Sequence, residues 1–324
     1  MLNYLIRRLL YMIPITVGVM FLTFLLFFVL QTPRAMALRI LGPKAPRQAI
    51  ENWLHNRGYD KPMLVNMQPG ESLWNSQFFH HMKSLAIFDL GKSDATGEPV
   101  MEMFKRGAIP SLLIMTPSFF LGLYLSVSAS LFLVFVRESW FDQIGVFWCV
   151  VAMSIPPMIY VIIGQWLIAV QFAWLPAFGF DLTGWGTARY LALPVFVAIL
   201  SGLGSDIRLY RAVFIEEIRQ EYVRTAQAKG ASGIRVLFGH ILKNGMISLI
   251  TMVVASLPFL IMGSLVLENF FGIPGLGNLT MNAIRTSDFA VVRASVYLGS
   301  LLYLFGLLLT DICYAMVDPR LRFQ

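Results

Sequence analysis

Residues 107–136 read GAIPSLLIMTPSFFLGLYLSVSASLFLVFV, a run with no Asp, Glu, Lys or Arg. A helix rises 1.5 Å per residue, so about 20 such residues cross ~30 Å of hydrocarbon. Residues 9–33, 143–180, 190–205, 244–267 and 294–310 are likewise uncharged. The chain has 324 residues, 57% hydrophobic and 13% charged, with a mean hydropathy of +0.69. Soluble domains carry about 25% charged residues, and so little charge does not cover a soluble surface of this size. The same composition excludes disorder, a coiled coil and a disulfide scaffold. The expected fold class is an all-α polytopic membrane protein with six transmembrane helices. Tyr190–Ser205 is the shortest run and the weakest span, extending past Asp206. The sixth runs from Ala294 to Val317 and must tolerate Asp311. The first, after Arg7-Arg8, is too long for a signal-peptide core and reads as an uncleaved helix.

Basic residues set the expected orientation. With the N-terminus inside, the short inner segments hold Arg7, Arg8, Arg137, Arg208, Arg211, Arg219, Arg224, Lys229, Arg235, Lys243, Arg320 and Arg322. The short outer loops hold Arg189, Arg285 and Arg293, so both termini are expected to be cytoplasmic. Lys105 and Arg106, beside span two on the outer side, are a local exception. The net charge of +7 is then a consequence of membrane orientation, not a nucleic-acid footprint.

Five parts are expected: helix one (1–31), an external segment (32–106), a five-helix core (107–317), a loop within it at about 212–243, and a cytoplasmic tail (318–324). The external segment has Trp53, Trp74, Phe78, Phe79 and Phe88 as a modest core. Its Gly91-Lys92-Ser93 resembles the end of a phosphate-binding loop, but the required leading glycine is Ala86. His80-His81 lacks further ligands at metal-binding spacing, and Cys149 and Cys313 sit in apolar runs as small hydrophobes. No serine elbow, zinc helix or dinucleotide fingerprint is present, so neither catalysis nor a cofactor is expected in this chain.

The informative polar stretch joins spans four and five, from Ile215 to Asn244. It reads as two short amphipathic helices broken at Gly230. The first carries Ile215, Ile218, Tyr222 and Ala226 at spacings of three and four, with Glu216, Glu217 and Glu221 preceding Arg224 and Lys229. Ser232 is placed to cap the second, which carries Ile234, Leu237, Phe238 and Ile241. Such a pair either lies on the anionic inner leaflet or docks into a partner's groove.

Glu221-Tyr-Val-Arg-Thr-Ala-Gln-Ala-Lys-Gly230-Ala231 resembles the coupling-loop motif of binding-protein-dependent ABC transporter permeases, in the dipeptide/oligopeptide/nickel branch. The resemblance spans nearly the whole chain: Tyr4 to Pro14, Asp60-Lys61-Pro62, Phe88 to Ser93, Pro99-Val100, Ser154-Ile155-Pro156, Trp174-Leu175-Pro176, Pro274 to Gly277 and Asp318-Pro319-Arg320 follow in the family order. It is similar to the first permease of such importers, the one with the long external segment. The resemblance implies a bacterial inner-membrane subunit that forms half of a translocation pathway. It implies a second homologous permease, two ATPase subunits carrying ATP and Mg, and an extracytoplasmic solute-binding protein. Glu221, Tyr222, Val223, Arg224, Thr225, Ala226, Lys229, Gly230 and Ala231 become the expected ATPase-coupling residues, with Tyr222 and Ala226 facing the ATPase groove. Two departures stand out: Gln31-Thr32-Pro33-Arg34-Ala35 replaces a pattern like Ala-Pro-Gly-Asp-Pro, and Ser248 replaces a proline. Asp311 and Glu268 are polar residues in or near spans and so candidates for function. An ion-coupled secondary transporter and a non-transporting membrane scaffold are the competing classes.

Overall fold

The computed structural model describes residues 2–29, 33–67 and 72–317. Gln31-Thr32, and the tail from 318 with its Asp318-Pro319-Arg320, lie outside the described residues. In chain order the helices are α1 Leu2–Phe24, running into a π turn Leu25–Val29, then α2 Pro33–Leu41, α3 Arg47–Asn56, α4 Gln77–Ala86 and α5 Val100–Phe135. α6 Trp140–Ser154 and α7 Pro157–Gly164 follow, with a π turn Gln165–Gln171, then α8 Trp185–Ile218 and α9 Glu221–Ala228. α10 Gly233–Val236 passes through a π turn, Leu237–Leu242, into α11 Lys243–Ser256. α12 Phe259–Met262, α13 Leu265–Phe271, α14 Leu276–Thr286 and α15 Phe289–Val317 complete the described chain. No strand occurs among the described residues, where Lys92 and Pro99 form an isolated antiparallel bridge.

Five stretches are long and apolar enough to cross a membrane: Ile6–Phe27, Val100–Phe135, Gly186–Ile218, Gly233–Phe271 and Phe289–Cys313. A sixth crossing arises if α6 and the stretch Pro157–Gln171, bent 92° apart, are one span. The third uncharged run is therefore not a straight helix. Pro156 and Pro157 remove amide donors, and proline disfavours helical geometry in the residue before it. The expected weak fourth span is instead inside a 34-residue helix, α8. Its charged continuation through Asp206, Arg208 and Arg211 keeps helical hydrogen bonding, so an uncharged run marks only the minimum length of a helix.

The chain divides into two compact units, 1–107 with 279–305, and 108–278 with 306–324. In the first, the fully buried Phe24 meets Phe78 edge-on at 5.2 Å. Ser76 starts α4, its Oγ accepting from the Phe79 N–H and donating to the Leu64 carbonyl at 2.7 Å. The Gln77 amide donates to the carbonyls of Tyr59 and Lys61. Trp74 and Phe88 are exposed, so the expected aromatic core is only partly built, and Met36, Ala37 and Leu85 fill the interior instead.

Gly91-Lys92-Ser93 has a structural use. Asp288, just ahead of α15, accepts from the Ser93 hydroxyl and from the Asp94 N–H at 3.0 Å. Asp94 in return accepts from the Ala290 N–H at 3.1 Å and pairs with Arg57 at 2.6 Å. Two carboxylates thus satisfy amides on each other's segment, one of them in the first turn of a helix where negative charge is favoured. Burial pushes the Asp94 carboxyl up from its ordinary value, opposed by the Arg57 guanidinium.

In the second unit α6 and α8 pack closely at Gly204, where a Cβ would lie 2.7 Å from the Cys149 carbonyl oxygen. Small residues permit such approach between membrane helices. Asp142 in the first turn of α6 accepts two bonds from Arg211 of α8, at 2.9 and 2.6 Å. Glu268 is fully buried. One of its oxygens accepts from the Ser111 hydroxyl at 2.8 Å and the Ser264 N–H at 3.1 Å, the other from the Asn278 N–H at 3.0 Å. Ser111 accepts in turn from the Leu276 N–H. This carboxylate pins the turn between α13 and α14, in which Gly272 is left-handed with φ of 67°.

Candidate functional site

The sequence-designated segment lies between two long helices. α8 ends at Ile218, Arg219 and Gln220 make a sharp link, and α9 begins at Glu221. Ile215 and Ile218 therefore belong to the end of α8 rather than to the same short helix as Tyr222 and Ala226. The break at Gly230 is present and has a definite geometry. Its φ is +80°, the Ala231 N–H reaches back to the Ala226 carbonyl at 3.1 Å, and the Gly230 N–H donates to Gln227 at 2.9 Å. This paired closure is the Schellman ending, which wants a residue without a Cβ at the left-handed position.

The second expected short helix is not separate. α10 continues through the π turn into α11, so the chain from Gly233 onward is the start of a candidate span. Ser232 stands at the cap position, but its side chain makes no capping bond. The expected stripe divides: Leu237 and Ile241 are buried, whereas Ile234 and Phe238 are exposed.

The packing reverses the expected facing of α9. Val223, 1% exposed, and Ala226, 8% exposed, turn into a cluster with Leu131 and Val134 of α5, Tyr210 and Phe214 of α8, and Leu237, Ile241 and Leu249 beyond Gly230. Tyr222 lies against this cluster. Its hydroxyl donates to Glu217, and its ring is 6.5 Å from that of His240. Burial, then the Glu217 carboxylate, pushes the Tyr222 phenol up to about 12. Tyr222 and Ala226 thus hold α9 onto its own chain. Glu221, Arg224, Thr225, Gln227, Ala228, Lys229 and Gly230 form the exposed surface. Arg224 pairs with Glu221 at 3.2 Å on that surface, a contact worth little in water.

α9 thus shares one buried cluster with residues of α5, α8 and α11 and of the turn that leads into α11. Gly245 tightens this joint: a Cβ there would sit 2.8 Å from the ring of the fully buried Phe214. The sequence places Glu217 only among the acids of the segment; its bond from Tyr222, and the close packing at Gly245, escaped that reading. A glutamate near a helix end and a glycine in an apolar run carry no one-dimensional signal of their partners. Ser248, where a proline was expected, lies within α11, its carbonyl accepting from Thr251. Asp311 is half-buried in α15.

Residues 118–323 match the family described as binding-protein-dependent transport system inner membrane component. Residues 1–114 match the N-terminal region of binding-protein-dependent transport system membrane components. The chain is 31% identical over 324 residues to the glutathione transport system permease protein of Escherichia coli strain K12, with 100% of each chain covered. It is 28% identical over 347 residues to the dipeptide transport system permease protein of Alkalihalophilus pseudofirmus, again with 100% of each covered.

Proposed function

Because this chain belongs to the binding-protein-dependent transport system inner membrane components, we propose that it is the permease subunit of an ATP-driven importer for peptides or related small solutes, with α9 as its coupling helix. The permease assignment within the peptide branch rests on the family match and on the full-length likeness to dipeptide and glutathione permeases. The coupling role of α9 rests on its mounting: buried Val223 and Ala226 share a cluster with residues of α5, α8 and α11, while its polar face stays open.

In this reading the chain crosses the membrane six times, the bent α6–α7 pair counting once. Both termini are cytoplasmic, and residues 32–106 form the external segment. The chain hydrolyses nothing itself; ATP and Mg belong to two partner ATPase subunits, a second permease completes the pathway, and an external binding protein delivers the solute. The residues proposed to transmit closure of the ATPases are Glu221, Tyr222, Val223, Arg224, Thr225, Ala226, Lys229, Gly230 and Ala231. They divide the work. Glu221, Arg224, Thr225, Lys229 and Gly230 meet the ATPase, whereas Tyr222, Val223 and Ala226 pass its displacement to those three helices and Ala231 closes the Schellman turn. A rigid lever of this kind switches a pathway between two packed arrangements.

The test is Gly230→Val in the reconstituted transporter. A β-branched residue at φ +80° costs about 1–2 kcal/mol or more and redirects the turn. Uptake and transport-stimulated ATP hydrolysis are expected to disappear while membrane insertion persists. Normal uptake by this variant removes the assignment.

A further inference from the structure

An open cavity of about 500 Å³ lies beside α8, with α6 and the end of α5 contributing to its wall. Its lining combines apolar side chains, including Leu133, Val146 and Ile215, with the guanidinium-bearing Arg208, Arg211 and Arg219. Arg211 is occupied by Asp142. Arg208 and Arg219 are exposed, and among the described residues neither has a carboxylate within ion-pair distance; Arg208 donates to the Met153 sulfur at 3.5 Å. Glu216 also lines the cavity, so three guanidiniums face two carboxylates and positive charge remains in excess.

The depth of the cavity in a membrane is marked independently. Trp140 and Phe141 at the start of α6 are 62% and 50% exposed and lie together with ring centroids 4.0 Å apart. Exposed Trp and neighbouring aromatics sit at the headgroup level of a bilayer. The next residue, Asp142, grips Arg211, which places that arginine at the same level. Arg208 is one turn deeper along α8, ~4.5 Å toward the hydrocarbon. An arginine there is costly unless it snorkels or meets an anion.

We propose that this cavity binds an anionic phospholipid, its phosphate between Arg208 and Arg219 and an acyl chain along Leu133 and Val146. A soluble anion needs the charges but not the apolar wall, and a neutral lipid the reverse. Basic pockets between membrane helices select anionic headgroups in this way.

The experiment uses the whole transporter purified with its partner subunits in detergent. Phosphatidylglycerol, phosphatidylcholine and inorganic phosphate are titrated separately, with retained lipid read by native mass spectrometry and melting temperature read in parallel. The wild type is expected to retain phosphatidylglycerol and to melt higher with it than with either control. R208Q/R219Q is expected to bind it about 30-fold more weakly, from two lost surface charges. Ala212→Trp, which fills the cavity from its lining with the charges kept, is expected to lower occupancy while R208K retains it. Equal effects of the two lipids, an equal effect of inorganic phosphate, or unchanged lipid retention in R208Q/R219Q each overturns the proposal. So does loss of an ATPase subunit or the second permease from that variant with lipid retained, which assigns the surface to protein docking.

Discussion

Glu268→Gln is the substitution whose outcome the geometry constrains most tightly. The wild-type carboxylate is fully buried and accepts on both oxygens: from Ser111 and the Ser264 N–H on one, from the Asn278 N–H on the other. Glutamine has nearly the same shape but only one acceptor oxygen. If its oxygen keeps Ser111 and Ser264, its amide nitrogen points a donor at the Asn278 N–H. If it flips, the amide meets the Ser264 N–H and the serine hydroxyl must rotate. Either way at least one backbone donor is left unsatisfied, at about 1–3 kcal/mol, and a donor now faces it. We expect a loss of about 2–4 kcal/mol, less than Glu268→Leu, which orphans two backbone donors and the serine together. The assay is thermal unfolding of the purified transporter with uptake measured in parallel, completed as a double-mutant cycle with Ser111→Ala. Because Ser111 also accepts from the Leu276 N–H, the cycle should show coupling of about 1–2 kcal/mol. Wild-type melting and uptake in Glu268→Gln, or strict additivity with Ser111→Ala, refutes the view that this carboxylate pins the turn.

Three further expectations concern other parts of the chain. Asp142→Ala strands the largely buried Arg211 and should destabilise the transporter by about 3 kcal/mol, with Arg211→Met in the same chain recovering part of the loss; no recovery means the pair is not the cause. Val223→Ala removes two methylene equivalents from a closed cluster, about 1.6 kcal/mol plus a cavity term, and should loosen coupling; Arg224→Ala should leave stability unchanged in the same melting assay. Burial, then the charges of Arg293 and His80, lowers His81 from 6.5 to about 3. The folded chain thus keeps His81 neutral where the unfolded chain takes up a proton, so stability is present above pH 6.5 and falls toward pH 3. The slope contributed is up to about 1.4 kcal/mol per pH unit, and a melting series should become shallower by that amount in His81→Leu.

Much of the architecture was legible one-dimensionally because hydrocarbon imposes a length and forbids charge. An apolar run lies in each of the long helices α1, α5, α8 and α15, and Gly230 was readable as a break because a left-handed helix ending favours the residue without a Cβ. Where charge continued a helix, as in α8, or prolines bent one, as between α6 and α7, the runs misjudged the element. An uncharged run records what the membrane tolerates, not where backbone hydrogen bonding stops.

The sequence by itself determined the membrane class, the family and the location of the polar segment between the fourth and fifth runs. Only the tertiary structure decided what that segment does with its faces. Val223 and Ala226 turn inward because residues of α5, α8 and α11 surround them, and periodicity names an apolar stripe without naming what covers it. The same holds for Glu268 and Ser111, 157 residues apart, and for Asp94 and Asp288. A buried carboxylate must find its donors in three dimensions, and the spacing of residues along a chain carries no record of which distant amides the fold brings within 3 Å.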